Sequence, residues 1–301
     1  MNFFGNTFLS IIILILIGYL LKKTELLKSD DVKPLNTILI NILMPCMIFI
    51  ALYTGDRNLF PKLWIMPFIP MLPALIVGLF TSITLKILNY SKVKILSFIL
   101  VVILGNTAYM GYPIILGIFG SDGLIRAIFF DISTPILFLF VSILLTAKVN
   151  GDPKAILKNL IGFPILWGFS LGIIFNIFNI DIGSVLENTI ENIGAAAIPI
   201  AMFCLGLSLS LSRMRKNFKV VSFVSLMKLI LYPVLSFIIC ILLGLKGIEF
   251  NIGVIESAMP SSILSLALTI NYNLDNELVA DCIFFSTIVS FISLPIIISL
   301  L

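Results

Sequence analysis

Two prolines interrupt otherwise apolar stretches of this chain, and each lies in a cluster of polar residues. The first cluster runs from Gly105 to Pro113, and the second runs from Glu256 to Ser262 and contains Pro260. Proline lacks a backbone donor and clashes with the preceding turn, so an α-helix breaks or kinks there. Broken backbone in a membrane is tolerated only where it is buried in protein or lines a cavity. Paired interruptions of this kind are typical of the binding sites of secondary transporters.

Asn106 and Thr107 lie inside the first interruption, where an unpaired amide or hydroxyl is costly. These side chains therefore need a partner or a ligand. A helix that restarts near Pro113 would offer unsatisfied N–H groups and the positive end of its dipole, which suit an anion. The alternative is that these polar side chains join helices to each other, with Gly105 and Gly111 allowing close packing.

Three charged residues, Asp131, Lys228 and Glu256, fall within apolar stretches and need partners there. Glu256 could hold a sodium ion, because hard cations take oxygen ligands; it could also carry a proton or pair with Lys228. Lys228 lies about 13 Å into the membrane from Lys219, at ~1.5 Å per residue. It could pair with an acidic residue, contact an anionic substrate or snorkel to the surface. Asp131 could reach a central cavity or only the outer water.

Further polar residues of the apolar stretches are candidates for lining a substrate cavity, with hydrogen bonding between helices as their alternative role. Asn192 is one of these candidates. The predicted substrate site consists of Gly105, Asn106, Thr107, Pro113, Pro260, Ser261, Ser262 and Asn41.

The composition places the chain in a membrane. Of its 301 residues, 60% are hydrophobic and only 11% are charged, whereas soluble domains carry about 25% charged residues. The net charge of +4 lies mostly in loops on one side, which argues against nucleic acid as a partner. The chain has no histidine, and its four cysteines are scattered in apolar stretches. We therefore predict no metal centre of cysteine or histidine, no catalytic residues and no enzyme.

Apolar segments long enough to cross a bilayer, about 20 residues each, recur along the chain. We place ten spans at 3–21, 34–54, 63–85, 95–119, 124–147, 157–178, 193–211, 219–243, 251–271 and 278–300. Lysine and arginine concentrate in the loops after spans 1, 3, 5 and 7, so these loops should face the cytoplasm. The chain is thus expected to be a multi-pass protein of the plasma (inner) membrane with both termini outside.

The two halves of the chain share an order of features. Prolines occur in spans 2 and 7, in the broken spans 4 and 9, and late in spans 5 and 10. Because each half has an odd number of spans, the halves must be inserted in opposite orientations. We therefore predict an all-α membrane fold of two inverted five-helix repeats, residues 1–150 with spans 1–5 and residues 151–301 with spans 6–10.

Four motifs occur in order along the chain: Asn41 to Pro45, Asn106-Thr107-x-x-Met110-Gly111-x-Pro113, Lys228-Leu229 with Pro233, and Glu256-Ser257-Ala258-Met259-Pro260 with Asn271-Tyr272. In these motifs the chain resembles the auxin efflux carrier family, which includes plant PIN proteins and many bacterial relatives. The similarity extends over essentially all of the chain.

The resemblance implies ten helices in two inverted repeats, akin to the bile acid:sodium symporters and NhaA-type antiporters. Spans 1, 2, 6 and 7 would form a scaffold domain that often dimerises, and spans 3–5 and 8–10 a transport domain. Crossed, broken helices 4 and 9 would hold the substrate and move it by an elevator-type mechanism. Asn106 matches the asparagine that contacts the substrate carboxylate in plant members.

The chain departs from the plant carriers in three respects. Their large cytoplasmic loop is reduced here to a short connection around residues 150–153. Glu256 stands where plant carriers have glutamine and where bile acid symporters have a glutamate that binds sodium. Span 3 has no acidic residue to pair with Lys228.

We therefore expect a transporter of a small organic anion, either a carboxylate or an auxin-like indole acid, working by secondary active or facilitated transport. Its expected partners are this anion, the lipid bilayer and a second copy of the chain. No cofactor is expected other than Na⁺ or H⁺ as a coupling ion. The alternative is a sodium or proton antiporter on the same fold, with Glu256 and Asp131 as the ion site.

Overall fold

A computed structural model describes residues 2–28, 31–149, 162–208 and 218–301. Within these ranges the regular structure is helical, apart from a single backbone pairing that belongs to the candidate site. Six helical segments of the described residues are long and apolar enough to cross a membrane. The prediction of a helical integral membrane protein is thereby confirmed, while the ten-span arrangement stays a prediction. The loop around residues 150–153, the start of predicted span 6 and the end of predicted span 7 lie outside the described ranges.

The helices before the loop around residues 150–153 are α1 (Asn2–Lys23), α2 (Val32–Ile38), α3 (Met44–Tyr53), α4 (Phe60–Leu63), α5 (Met71–Ile87), α6 (Lys92–Ile103), α7 (Tyr112–Asp131) and α8 (Ser133–Val149). Those after it are α9 (Pro164–Ile177), α10 (Ser184–Ala195), α11 (Ala197–Ser208), α12 (Phe218–Leu226), α13 (Tyr232–Leu242), α14 (Gly247–Ser257), α15 (Leu264–Asn271) and α16 (Asn276–Leu300).

Three π-helical turns interrupt the α-helical segments, and each ends two residues before a proline. The turns are Leu39–Leu43 before Pro45, Thr107–Gly111 before Pro113, and Met227–Leu231 before Pro233. A proline ring clashes with the carbonyl four residues earlier in an α-helix and leaves that carbonyl without a donor. In all three cases the carbonyl belongs to the wider π turn, where the extra residue relieves the clash.

The helix α7 changes direction at Gly120, whose φ of 67° and ψ of −165° lie outside the helical region. Glycine adopts this conformation without strain, and the break falls at the turn predicted between spans 4 and 5. A second break, at Ile132 between α7 and α8, was not predicted. Pro135 follows in the first turn of α8, where the backbone N–H that proline lacks would have no partner within the helix.

The helices group into two compact units. The first unit comprises Met1–Trp64, Ala108–Phe129 and Ile161–Leu209, and the second comprises Ile65–Thr107, Phe130–Leu160 and Ser210–Leu301. The division of the sequence into halves 1–150 and 151–301, and the assignment of spans to scaffold and transport domains, stay predictions.

In the first unit, helices approach each other closely at glycines. Gly206 of α11 faces the backbone of Ile15 on α1, and Gly168 of α9 faces the backbone of Pro45 on α3. Helices in a membrane are held together mainly by close packing, since lipid tails are as apolar as their side chains. Glycine allows this packing because it has no side chain between the two backbones.

The C-terminal end of α3 is closed by Asn176 of α9. The amide Nδ2 of Asn176 lies 2.9, 2.7 and 2.8 Å from the carbonyl oxygens of Leu52, Tyr53 and Gly55. The last carbonyls of a helix have no partner within the helix. Asn176 therefore links α9 to α3 by satisfying them.

We expect Asn176→Ala to lower the free energy of unfolding by about 1–2 kcal/mol, because partly buried carbonyls lose their donor. Asn176→Asp should be worse, since its carboxylate would face the same three oxygens. Thermal denaturation in detergent measures both, with Asn188→Ala, at an exposed position of α10, as the control. An equal loss in Asn188→Ala would contradict the capping role.

In the second unit, α5 packs on α6, α13 on α14 and α12 on α16. The ends of α6 and α14, where the two predicted interruptions begin, both belong to this unit. The chain leaves helical geometry after Ile103 in the first case and after Ser257 in the second. Both breaks thus occur where the proline-containing clusters predict them.

Candidate functional site

The two interrupted helices are joined to each other through their backbones. Gly105 and Ser261 form an antiparallel bridge. On either side of it, the Asn106 N–H donates to the Pro260 carbonyl at 2.7 Å and the Ser262 N–H donates to the Leu104 carbonyl at 3.0 Å. Backbone groups released by a break inside a membrane need partners within the protein. Each break here supplies partners for the other, so the two lie side by side at a crossover.

Two side chains at this crossover have unused hydrogen-bonding capacity. Asn106 is 1% exposed, and neither its Nδ2 nor its Oδ1 has a hydrogen-bond partner among the described residues. The Ser261 hydroxyl is also buried and without a partner there, although the Ser261 N–H donates to the Ser286 Oγ at 3.2 Å. Buried polar groups are nearly always hydrogen-bonded. An amide and a hydroxyl with free donors and acceptors are therefore suited to a polar ligand.

Lys228 brings a positive charge to the same crossover. It lies in the π turn before Pro233, is 1% exposed and makes no ion pair with the described residues. Its Nζ lies 3.8 Å from the centre of the Tyr232 ring, a cation–π contact. A Cβ on Gly105 would lie 3.2 Å from the same Nζ. The ammonium group is thus held between an aromatic ring and the crossover backbone.

Tyr232 is itself fixed in place, because its hydroxyl donates to the Pro70 carbonyl at 2.8 Å. Pro70 immediately precedes α5, in a segment where three prolines, Pro67, Pro70 and Pro73, occur close together. The position of the Lys228 ammonium therefore depends on this segment as well as on its own helix.

Glu256 and Lys228 line one small cavity. The carboxylate of Glu256 is fully buried, and both of its oxygens lack hydrogen-bond partners among the described residues. The cavity has a volume of about 10 Å³ and is also lined by Thr107, Ser257 and Tyr232. That volume is about the room of one water molecule. In this conformation the cavity can hold a water-sized species and is too small for an organic acid.

The oxygen atoms around this cavity fit a small hard cation in type. The Glu256 carboxylate and the hydroxyls of Thr107 and Ser257 are the kind of ligand that such ions take. The Lys228 ammonium lines the same cavity, however, and would repel a second positive charge. The donor set therefore accommodates sodium only if Lys228 moves or loses its proton.

Asp131 is buried at 2% exposure and accepts two hydroxyl hydrogen bonds on one oxygen. Thr107 donates to Asp131 Oδ1, and Thr134 donates to the same atom at 2.6 Å. Thr107 also lines the cavity that contains the Glu256 carboxylate, so it adjoins both acidic residues. Asp131 thus lies in the interior of the second unit, and its access to a central cavity stays a prediction.

The remaining predicted site residues have different surroundings. Ser262 is buried, and its Oγ accepts a hydrogen bond from the Leu264 N–H at 3.2 Å, so it caps the start of α15. Asn41 and Pro113 belong to the first unit. Asn41 is exposed and its Nδ2 donates to the Thr37 carbonyl at 2.7 Å, within its own helix. Asn192, on α10, is exposed.

Three residues near the crossover were not identified from the sequence: Tyr232, Thr134 and Ser286. Tyr232 follows Lys228 by four residues and Thr134 follows Asp131 by three, spacings that bring side chains together on a helix. That signal was present in the sequence. Ser286, in contrast, meets Ser261 only through the tertiary fold, and no local pattern identifies it.

Comparison with known proteins decides the family. The model of the membrane transport protein family matches residues 4–298. The chain belongs to the membrane transport protein family. This transporter is 35% identical over 298 residues to an uncharacterized transporter of Methanothermobacter thermautotrophicus, covering 98% of both chains. It is 34% identical over 289 residues to an uncharacterized transporter of Methanocaldococcus jannaschii, covering 93% of this chain and 92% of the other.

The transporter is also similar to auxin efflux carrier component 1 of Arabidopsis thaliana, with 22% identity over 145 residues, or 48% of this chain and 23% of the plant protein. The resemblance to auxin efflux carriers seen in the motifs is thereby confirmed. The transporter is a multi-pass membrane protein and, like its relatives, a membrane transporter rather than an enzyme.

Proposed function

We propose that this transporter carries a small organic anion, a carboxylate or an auxin-like indole acid, and binds it at the crossover of the two interrupted helices. The Asn106 amide would donate to the carboxylate, with the Ser261 hydroxyl as a second hydrogen-bonding group. The Lys228 ammonium would offset the anion's charge. Gly105 would let the ligand approach the backbone, since any side chain there would press on Lys228.

The observation that carries this proposal is the free side chain of Asn106. It is a buried amide beside a backbone break and has no hydrogen-bond partner among the described residues. Leaving such groups unpaired costs about 1–3 kcal/mol each. A ligand with carboxylate oxygens would remove that cost. The Lys228 ammonium beside Gly105 favours an anion over a cation as this ligand.

The mechanism we propose is elevator-type alternating access in secondary active or facilitated transport. Ten spans in two inverted repeats, 1–150 and 151–301, would provide a scaffold of spans 1, 2, 6 and 7 and a transport domain of spans 3–5 and 8–10. The small cavity beside Lys228 supports a requirement for movement, because an organic acid does not fit it in this conformation. A plasma membrane location with both termini outside, and a homodimer through the scaffold, belong to the same proposal.

The second candidate is a sodium or proton antiporter with Glu256 and Asp131 as the ion site. The unpartnered Glu256 carboxylate, at a cavity of water-like size, favours it. The Lys228 ammonium at the same cavity speaks against it.

Thermal stabilisation of the purified protein tests the first proposal. A ligand at one hundred times its Kd stabilises a protein by about 2.7 kcal/mol. We expect acetate, succinate or indole-3-acetate to raise the melting temperature of the wild type. Asn106→Ala should weaken this binding by about tenfold or more, since a buried hydrogen bond to a charged group is lost. Asn188→Ala, at an exposed asparagine, should leave it unchanged.

Each experiment is run in sodium and in potassium salt. Equal stabilisation of the wild type and Asn106→Ala by an acid would show that the acid does not bind at the crossover. Stabilisation by sodium alone, lost in Glu256→Gln and with no effect of any acid, would replace the organic anion carrier by the antiporter.

A further inference from the structure

Asp131 connects two parts of the second unit, the crossover and the start of α8. Asp131 is the last residue of α7. It accepts one hydrogen bond from Thr107, the first residue of the π turn that follows the crossover, and a second at 2.6 Å from Thr134 in the first turn of α8. Both hydroxyls donate to the same carboxylate oxygen, Oδ1. The chain leaves helical geometry at Ile132, between α7 and α8. The Asp131 side chain therefore closes the corner between the crossover and the start of α8, within the second unit.

Through Thr107, this corner reaches the candidate ligand site. Thr107 follows Asn106 directly, and the Asn106 N–H is fixed on the other side by the Pro260 carbonyl. The backbone of Asn106 is thus held between two anchors, one in each interrupted helix. Loss of the Thr107 anchor would free the start of the π turn and let the Asn106 amide reorient.

We propose that Asp131 is a positioning residue that holds Asn106 in place through Thr107, acting as a hydrogen-bond acceptor whose negative charge is dispensable. This inference rests on the crossover being the substrate site, as proposed above. It assigns Asp131 a role different from the ion ligand that the antiporter alternative requires, since an ion ligand needs its charge.

The dispensable charge follows from the geometry of the hydrogen bonds. An amide oxygen has two lone pairs and can accept from both threonine hydroxyls, as Oδ1 does now. Asparagine at position 131 would keep this acceptor and remove the charge. Leucine, of similar size, would remove the acceptor.

Amide hydrogen exchange of the segment Thr107–Gly111, followed by mass spectrometry, tests the inference. We expect Asp131→Leu to speed exchange in this segment by at least about tenfold, because two threonine hydroxyls then lose their acceptor. Asp131→Asn should stay within about threefold of the wild type. The control segment is α11, in the first unit, whose exchange should not change in either variant if the effect is local.

A complementary pair of variants removes the donor instead of the acceptor, and keeps the test decisive if Asp131→Leu does not fold. Thr107→Val should reproduce the faster exchange, and Thr107→Ser, which keeps the hydroxyl, should restore slow exchange. Fast exchange in Asp131→Asn as well as Asp131→Leu would overturn the inference, because the charge would then be needed. Unchanged exchange in Asp131→Leu and Thr107→Val would overturn it too.

Binding of the probe acid in the same variants separates this inference from the proposed function. An acid that stabilises the wild type and Asp131→Asn, but stabilises Asp131→Leu about tenfold less effectively, supports both. Equal binding to Asp131→Leu overturns the positioning role. If no acid stabilises any variant, the proposed function fails, and the exchange of Thr107–Gly111 still decides the role of Asp131.

Discussion

Replacing either Lys228 or Glu256 by methionine is expected to lower the free energy of unfolding by about 3 kcal/mol. Both side chains are almost completely buried and line the same cavity. Opposite charges that line one small cavity are expected to offset each other, although these two groups do not form an ion pair. Removal of one leaves the other as an uncompensated buried charge, which costs about 3–5 kcal/mol when the two are in contact.

The double variant Lys228→Met/Glu256→Met should recover most of this loss. Buried charge pairs can often be exchanged for apolar residues of similar volume without loss of stability. Denaturant titration of the protein in detergent micelles gives the four free energies of the cycle. We expect a coupling of about 5 kcal/mol, because the double variant should lose only about 1 kcal/mol. Transport should be lost in all three variants, because the proposed counter-charge for the substrate is absent or no longer compensated.

Lys62→Met is the matched control, since Lys62 is exposed and such substitutions change stability by less than about 0.5 kcal/mol. Losses that simply add in the double variant would show that the two buried groups are energetically independent. Another group would then have to compensate the charge of Lys228, and sharing a cavity would not couple Lys228 to Glu256.

Gly206→Ala is expected to lower the free energy of unfolding by about 3 kcal/mol, the upper end of the range for overpacking. The added Cβ would overlap the Ile15 carbonyl oxygen and lie 2.8 Å from the Tyr19 nitrogen. Both are backbone atoms of α1, which cannot turn aside as a side chain does. The two helices would have to separate along their contact, and Tm should fall accordingly.

Gly78→Ala provides the comparison. Its added Cβ would meet only the end of the Ile103 side chain, at 3.1 Å from Cδ1 and 3.3 Å from Cγ1. Isoleucine can change rotamer, so a loss below about 1 kcal/mol is expected. Similar losses in both variants, measured by thermal denaturation, would contradict the view that backbone contact makes Gly206 special.

Much of the framework of the site was predictable from the sequence, because proline acts locally. The helix before Pro260 ends at Ser257, and Pro113 is preceded by the π turn Thr107–Gly111. Hydropathy likewise predicted a helical membrane protein, since about 20 apolar residues are what a bilayer requires. These features depend on neighbours in sequence and need no knowledge of the fold.

The partners across the site were not predictable in the same way. Nothing local indicates that the Asn106 N–H finds the Pro260 carbonyl, or that Thr107 finds Asp131, because these pairs meet only after the helices have packed. The break at Ile132 was missed because Ile132 itself has no helix-breaking character. A burial pattern could not distinguish an ion ligand from a hydrogen-bond acceptor at Asp131, since both require a buried carboxylate.

The antiparallel pairing at the crossover uses only main-chain atoms of Leu104, Gly105, Asn106, Pro260, Ser261 and Ser262. Substitution of the side chains at Asn106, Ser261 or Ser262 leaves these N–H and carbonyl groups in place. The architecture of the site is therefore encoded separately from its chemical selectivity. Such a chain can acquire a new substrate by few substitutions, because the main-chain pairing that positions the ligand-facing side chains stays unchanged.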